Sequence, residues 1–149
     1  MGIESGNKGN EENSRKFRSF EDLDVYNRTF KASKAVIFDI IPKLPKEEKF
    51  DLADQMRRAS KSIPTLIAEG YAKKYQQKGF NKYLTDAMAE ANEMIVHLSY
   101  AKEYLKPFTK ELDCLIEIYS IAAKQLYKLN ENWKSLSKLY CSPLRFEAK

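Results

Sequence analysis

Apolar residues recur along this chain at alternating intervals of three and four. Leu23, Tyr26, Phe30, Ser33, Ile37, Ile40 and Leu44 form one such series. Phe80, Leu84, Ala87, Ala91, Met94, Leu98, Ala101 and Leu105 form another. That spacing puts each series on one face of an α-helix. Leu52, Met56, Ala59, Ile63, Ile67 and Tyr71 continue the theme, as do Leu112, Leu115, Tyr119, Ala122, Leu126 and Trp133. The pattern predicts four long helices.

Helix-breaking residues fall between these stretches. Pro42 and Pro45 flank Lys43-Leu44, Gly70 and Gly79 enclose YAKKYQQK, and Pro107 follows Leu105-Lys106. Short joints between long helices imply antiparallel neighbours. Three of the five glycines lie in the first nine residues, and valine occurs only at 25, 36 and 96. Such a chain is poorly suited to sheet. The expected fold is therefore all-α, an up-down-up-down antiparallel four-helix bundle spanning residues 19–133. Residues 1–18 read as a disordered polar tail and 134–149 as a basic C-terminal tail.

Local signals refine the ends. Ser19 before Phe20-Glu21-Asp22 is a plausible N-cap with acids in the first turn, and Thr109 stands in a similar place before Lys110-Glu111-Leu112. Pro64 is the one local conflict. Its missing N–H and its ring cost a helix interior about 3 kcal/mol. The apolar series keeps its phase across it, which favours one continuous, kinked helix. Ser60 and Ser62 are placed to help satisfy the carbonyls it frees. Several stretches carry more apolar surface than one core needs: Val25 and Val36 in the first, and Ile116, Ile118, Ile121 and Leu129 in the last. This excess predicts self-association.

Composition narrows the class. The chain has 149 residues, of which 43% are hydrophobic and 32% charged, so it builds one core and still dissolves. No apolar run approaches the roughly 20 residues needed to span a bilayer, and the N-terminus has no apolar signal stretch. A soluble, cytoplasmic protein is expected. Cys114 and Cys141 are too few for a disulfide scaffold.

The net charge of +5 is unevenly distributed. Residues 57–82 carry Arg57, Arg58, Lys61, Lys73, Lys74, Lys78 and Lys82 against Glu69 alone, a net of +6. Residues 83–117 are net −4, and 134–149 net +3. In YAKKYQQKGFNKY, lysines interleave with Tyr71, Tyr75, Phe80 and Tyr83. Lysines neutralise phosphates and aromatic rings stack on unpaired bases, so this stretch is the candidate nucleic-acid surface, with Tyr75 as the stacking ring. The same pattern also suits a solvated joint whose aromatics anchor in the core.

Catalytic chemistry is hard to place. The lone histidine, His97, lies among apolar residues in MIVHLSY. A buried or interface role suits it better than catalysis. Glu90 and Glu93 precede it, but no second helix repeats the pattern that a bundle metal site needs. No phosphate-cradling glycine loop or nucleophile elbow is present. The chain reads as a non-enzyme without metal or cofactor. Glu69 and Glu93 fall in or beside apolar series, where a carboxylate needs a partner. Arg57 or Arg58 reaching one of them across the bundle would fix helix register.

The run QMRRASKSIPTLIAEG at residues 55–70 resembles the signature of proteins encoded in intervening sequences of bacterial 23S rRNA genes. FEDLDVY at 20–26 is similar to that family's first-helix motif. Phe80, Tyr83, Leu84, Ala87 and Glu93 sit where its third helix has similar residues. Leu66 departs from the family pattern, which usually has asparagine there. The resemblance implies a four-helix bundle assembled as a homopentamer and a bacterial origin. It also implies RNA binding through a basic surface. The family is in turn similar to the accessory variability proteins of diversity-generating retroelements, pentameric bundles that bind a reverse transcriptase and its RNA. No catalytic residues come with it. The function expected is an oligomeric, non-enzymatic RNA-binding bundle, with a scaffold that docks a protein such as a reverse transcriptase as the alternative.

Overall fold

The computed structural model describes the backbone of residues 17–140 and the side chains of residues 17–133. Most of the tail expected at 1–18, together with residues 141–149 and Cys141, lies outside the described residues. Among the described residues there are four long helices and no strand: α1 (Asp24–Ala35), α2 (Leu52–Ala72), α3 (Gln77–Tyr104) and α4 (Thr109–Tyr140). A π-helical turn, Val36–Ile40, and a 3-10 turn, Ile41–Lys43, prolong α1 until Pro42 and Pro45 stop it. α4 runs seven residues past the boundary expected at 133.

Packing is cyclic. α1 touches α2 and α4, and α3 touches α2 and α4, while the diagonal pairs do not meet. Contacts between helix ends fix the directions. The Tyr71 hydroxyl, at the end of α2, donates to the Phe17 carbonyl just before α1 (3.0 Å). Tyr104, at the end of α3, donates to Glu48 Oε1 just before α2 (2.6 Å). Lys102 near the end of α3 pairs with Asp113 at the start of α4 (2.5 Å). Gln125, midway along α4, donates to Asp24 at the start of α1 (2.7 Å), and Lys43, at the end of the α1 extension, lies over the Phe108 ring just before α4 (5.0 Å). Every neighbouring pair is antiparallel, as an up-down-up-down bundle requires.

The α2 and α3 series are buried at every position, from Leu52 to Tyr71 and from Phe80 to Leu105. Each fully buried Leu, Ile or Met contributes about 1.5–3 kcal/mol. In α3 the buried Ala87, Ala91 and Ala101 alternate with larger side chains and let α2 and α4 come close. The helices come close at Gly70, where an added Cβ would lie 2.9 Å from Tyr83 Cβ on α3.

α1 departs from expectation. Leu23, Ser33, Ile40 and Leu44 of the expected series are buried, joined by Val25, Thr29, Ala32 and Val36, whereas Phe30 is exposed and Tyr26 and Ile37 half-buried. The buried stripe is wider than expected and includes a threonine. Thr29 Oγ1 donates to the Val25 carbonyl (2.8 Å) and lies 3.1 Å from that of Tyr26, so its hydroxyl is satisfied within its own helix. Tyr26 and Phe30 instead stack (5.8 Å between centroids) and, with Phe20, line an open groove of about 400 Å³ against α2.

Pro64 lies buried inside a continuous α2, as the unbroken phase of the apolar series requires. The serines do not act as expected. The Ser60 and Ser62 hydroxyls bond the Arg57 and Ala59 carbonyls, whereas the carbonyl that Pro64 leaves without its usual donor is that of Ser60. Ser19 does form a capping box, accepting from Glu21 N (3.1 Å) while Asp22 accepts from Ser19 N (3.3 Å), but it caps the 3-10 turn Phe20–Asp22 ahead of α1. Thr109 is the first residue of α4, and its hydroxyl donates back to the Lys106 carbonyl (2.6 Å) instead of capping the helix.

Gly70→Ala should lower stability by about 1–3 kcal/mol, because the helix backbones would have to separate. Gly79→Ala should stay within about 1 kcal/mol of the parent: its Cβ meets the Lys73 stem at 3.3–3.4 Å, and alanine is the better helix former. Urea denaturation of both variants checks the pair; equal midpoints would refute the close contact. Tyr119 is fully buried, and its hydroxyl has no partner among the described residues. Tyr119→Phe should therefore be neutral or stabilising by up to about 1 kcal/mol in the same assay.

Candidate nucleic-acid interface

The α2–α3 joint is a tight turn, Lys73 to Gln76. Lys73 N bonds the Gly70 carbonyl (2.9 Å), Lys74 N that of Tyr71 (3.2 Å), and Gln76 N that of Lys73 (2.9 Å). Phe80 N then donates to the Gln76 carbonyl (2.9 Å) at the entry to α3. From below, the Trp133 indole of α4 donates to the Lys74 carbonyl (2.6 Å), and its ring packs on Phe80 (5.0 Å). Asn130 and Asn81 join the same two helices one turn deeper (2.6 Å).

Lysines and tyrosines interleave on this frame. Lys74 Nζ lies 3.8 Å from the Tyr71 ring centroid and 5.4 Å from that of Tyr75. Lys73 and Lys82 each place Nζ 5.6 Å from the Tyr83 ring. Gly79 is what admits the Lys73 stem over the first turn of α3. Lys78 is exposed beside it, and no acid occupies that first turn. Lys82 is also paired with Asp86, one turn on (3.3 Å). The positive end of the α3 dipole and the lysines thus face the same solvent.

The basic window is not one patch. Arg57, Arg58 and Lys61 lie in the middle of α2, and Lys61 is about 18 Å along the axis from Lys73 at 1.5 Å per residue. Arg58 pairs with Asp54 (3.4 Å). Lys61 borders the aromatic groove between α1 and α2, together with Glu69. Lys73, Lys74, Tyr75, Lys78 and Lys82 are the residues that the fold brings to the turn.

The expected Arg–Glu register pair does not form. Glu69 and Glu93 are both exposed, because each sits on the flank of its helix beside the buried stripe and not within it. Glu93 Oε1 lies 3.0 Å from Nε2 of His97, one turn further along α3, and Arg58 turns to Asp54 on its own helix. His97 is buried, with 8% exposure, and Glu93 is its polar partner. Arg58, Gln55, Ser62, Glu90 and Glu93 line a polar groove between α2 and α3. Burial, and then the adjacent Glu93 carboxylate, raise the Glu90 pKa above the ordinary carboxylate value. Among the described residues no cluster of three or more His, Cys, Asp or Glu side chains is arranged to hold a metal ion, and no helix is long and apolar enough to cross a membrane.

A sequence model of the 23S rRNA-intervening sequence proteins matches residues 21–128, from the capped entry of α1 to most of α4. The chain belongs to the 23S rRNA-intervening sequence protein family. No curated protein and no solved structure matches it. The family match covers the turn and both helices that carry it. Trp133, which pins the turn, lies beyond the match, and sequence periodicity marked it only as an apolar position.

A carboxyl whose pKa is raised on folding is destabilising while ionised, and the penalty fades as pH falls through the raised value. Glu90→Gln should therefore raise the melting temperature at neutral pH and leave it little changed once the pH is below the carboxylate range. Thermal melts of both proteins across that interval check the sign.

Proposed function

We propose that this protein is a non-enzymatic, homo-oligomeric RNA-binding bundle of the cytoplasm, with the α2–α3 turn as its contact surface. The observation that carries the reading is the convergence of Lys73, Lys74 and Lys82 around Tyr75 and Tyr83, with Lys78 exposed in the adjoining first turn of α3, on a turn held by hydrogen bonds from three helices. Ammonium groups there neutralise phosphates, while Tyr75, 88% exposed, offers an open ring face. The family's description ties it to 23S rRNA genes, which is compatible with an RNA-related role.

Self-association completes the proposal. Phe38 is 71% exposed, and Phe50 and Tyr127 also lie open on the surface. These rings are the kind of surface that a neighbouring copy covers. In the homopentamer that the family resemblance implies, five turns act together, and avidity raises the affinity of one modest patch many-fold. The competing occupant of the same lysines is an acidic protein, such as the reverse transcriptase implied by the likeness to retroelement accessory proteins.

Lys73→Glu, Lys74→Glu and Lys78→Glu together should abolish most RNA binding at moderate salt and lower the log–log salt slope by about 2, at roughly 0.7 per single-strand phosphate contact. Light scattering should show the same assembly before and after. A parent protein that ignores RNA at low salt would sink the reading and leave the acidic protein partner.

A further inference from the structure

We infer that the α2–α3 turn selects unpaired RNA over duplex by stacking a base on Tyr75; this rests on the RNA-binding reading above. Two observations and one constraint of RNA shape carry it. Tyr75 is 88% exposed, although it sits in a turn whose neighbouring backbone groups are bonded on both sides. The ring therefore stands out from a frame already ordered, and a ligand that covers it need not order the backbone first.

Next, the ring comes with its own cation. Lys74 Nζ lies 5.4 Å from the Tyr75 centroid and 3.8 Å from that of Tyr71, so one ammonium is within reach of both rings. A base laid on the free part of Tyr75 brings its flanking phosphate towards that charge. Lys73 and Lys82, each 5.6 Å from the Tyr83 ring, supply further positive charge for the next phosphates. Gln76 and Gln77, both exposed, add uncharged donors and acceptors at the same place.

Finally, shape discriminates. In an A-form duplex the bases are stacked on one another within the helix and the major groove is too narrow for side chains. A projecting tyrosine finds no free base face there, and only the lysines engage. On an unpaired strand both parts of the turn engage at once. Stacking of this kind tolerates any base, so the turn distinguishes strandedness and not sequence.

Anisotropy titrations at one salt concentration, with an unstructured oligouridylate and an RNA duplex of matched phosphate count, test the inference. The parent protein should bind the single strand more tightly. Tyr75→Ala should lose about tenfold on the single strand and be unchanged on the duplex. Tyr75→Phe, which keeps the ring, should retain the preference. Equal binding of both RNAs by the parent, or an unaffected Tyr75→Ala, overturns strand selection but leaves RNA binding by the lysines standing. Failure of both RNAs to bind at low salt overturns the RNA reading and strand selection with it.

Discussion

The contact between Gly70 and Tyr83 governs much of this molecule. A hydrogen in place of a side chain lets α2 and α3 meet closely just below their joint. Two long helices that converge so tightly need only a few residues to connect them, and the chain supplies them from Lys73 to Gln76. The same convergence brings Tyr83 beside Lys73 and sets the entry of α3. With a wider crossing, the lysines would be strung along a loose loop and the rings would have no common frame.

Polar groups in the core show how the remaining packing is tuned. Thr29 enters the core at little cost because its hydroxyl turns back to its own helix. The Tyr119 hydroxyl has no such recourse, and burial pushes its pKa far above the ordinary phenol value. His97 takes a middle course, buried but paired with the exposed Glu93. All three are held within the antiparallel frame set by the ends of the helices.

The helices and their directions were legible in the sequence because buried stripes on α2, α3 and α4 consist almost wholly of apolar residues. α1 was legible only in part, for a reason that belongs to side-chain chemistry. Thr29 looks polar in a pattern and behaves as apolar once its hydroxyl is spent, whereas Phe30 looks apolar and stays in solvent. The turn was legible as a run of lysines and aromatics. Its separation from Arg57, Arg58 and Lys61 was not, since a window of charge carries no information on helix length. Nor did spacing reveal that Glu69 and Glu93 stand on the flanks. A residue one step from an apolar series lies either at its edge or outside it, and only the packed neighbours decide.

Trp133 is the chain's single tryptophan, and it lies directly beneath the turn, with its N–H on the Lys74 carbonyl and its ring on Phe80. Indole emission depends on the polarity and hydrogen bonding around the ring. The intrinsic fluorescence of this protein is therefore a local signal from one end of the bundle, separate from the melting of the far end near Tyr104 and Glu48. The molecule carries a built-in optical probe at the place where its surface chemistry is concentrated.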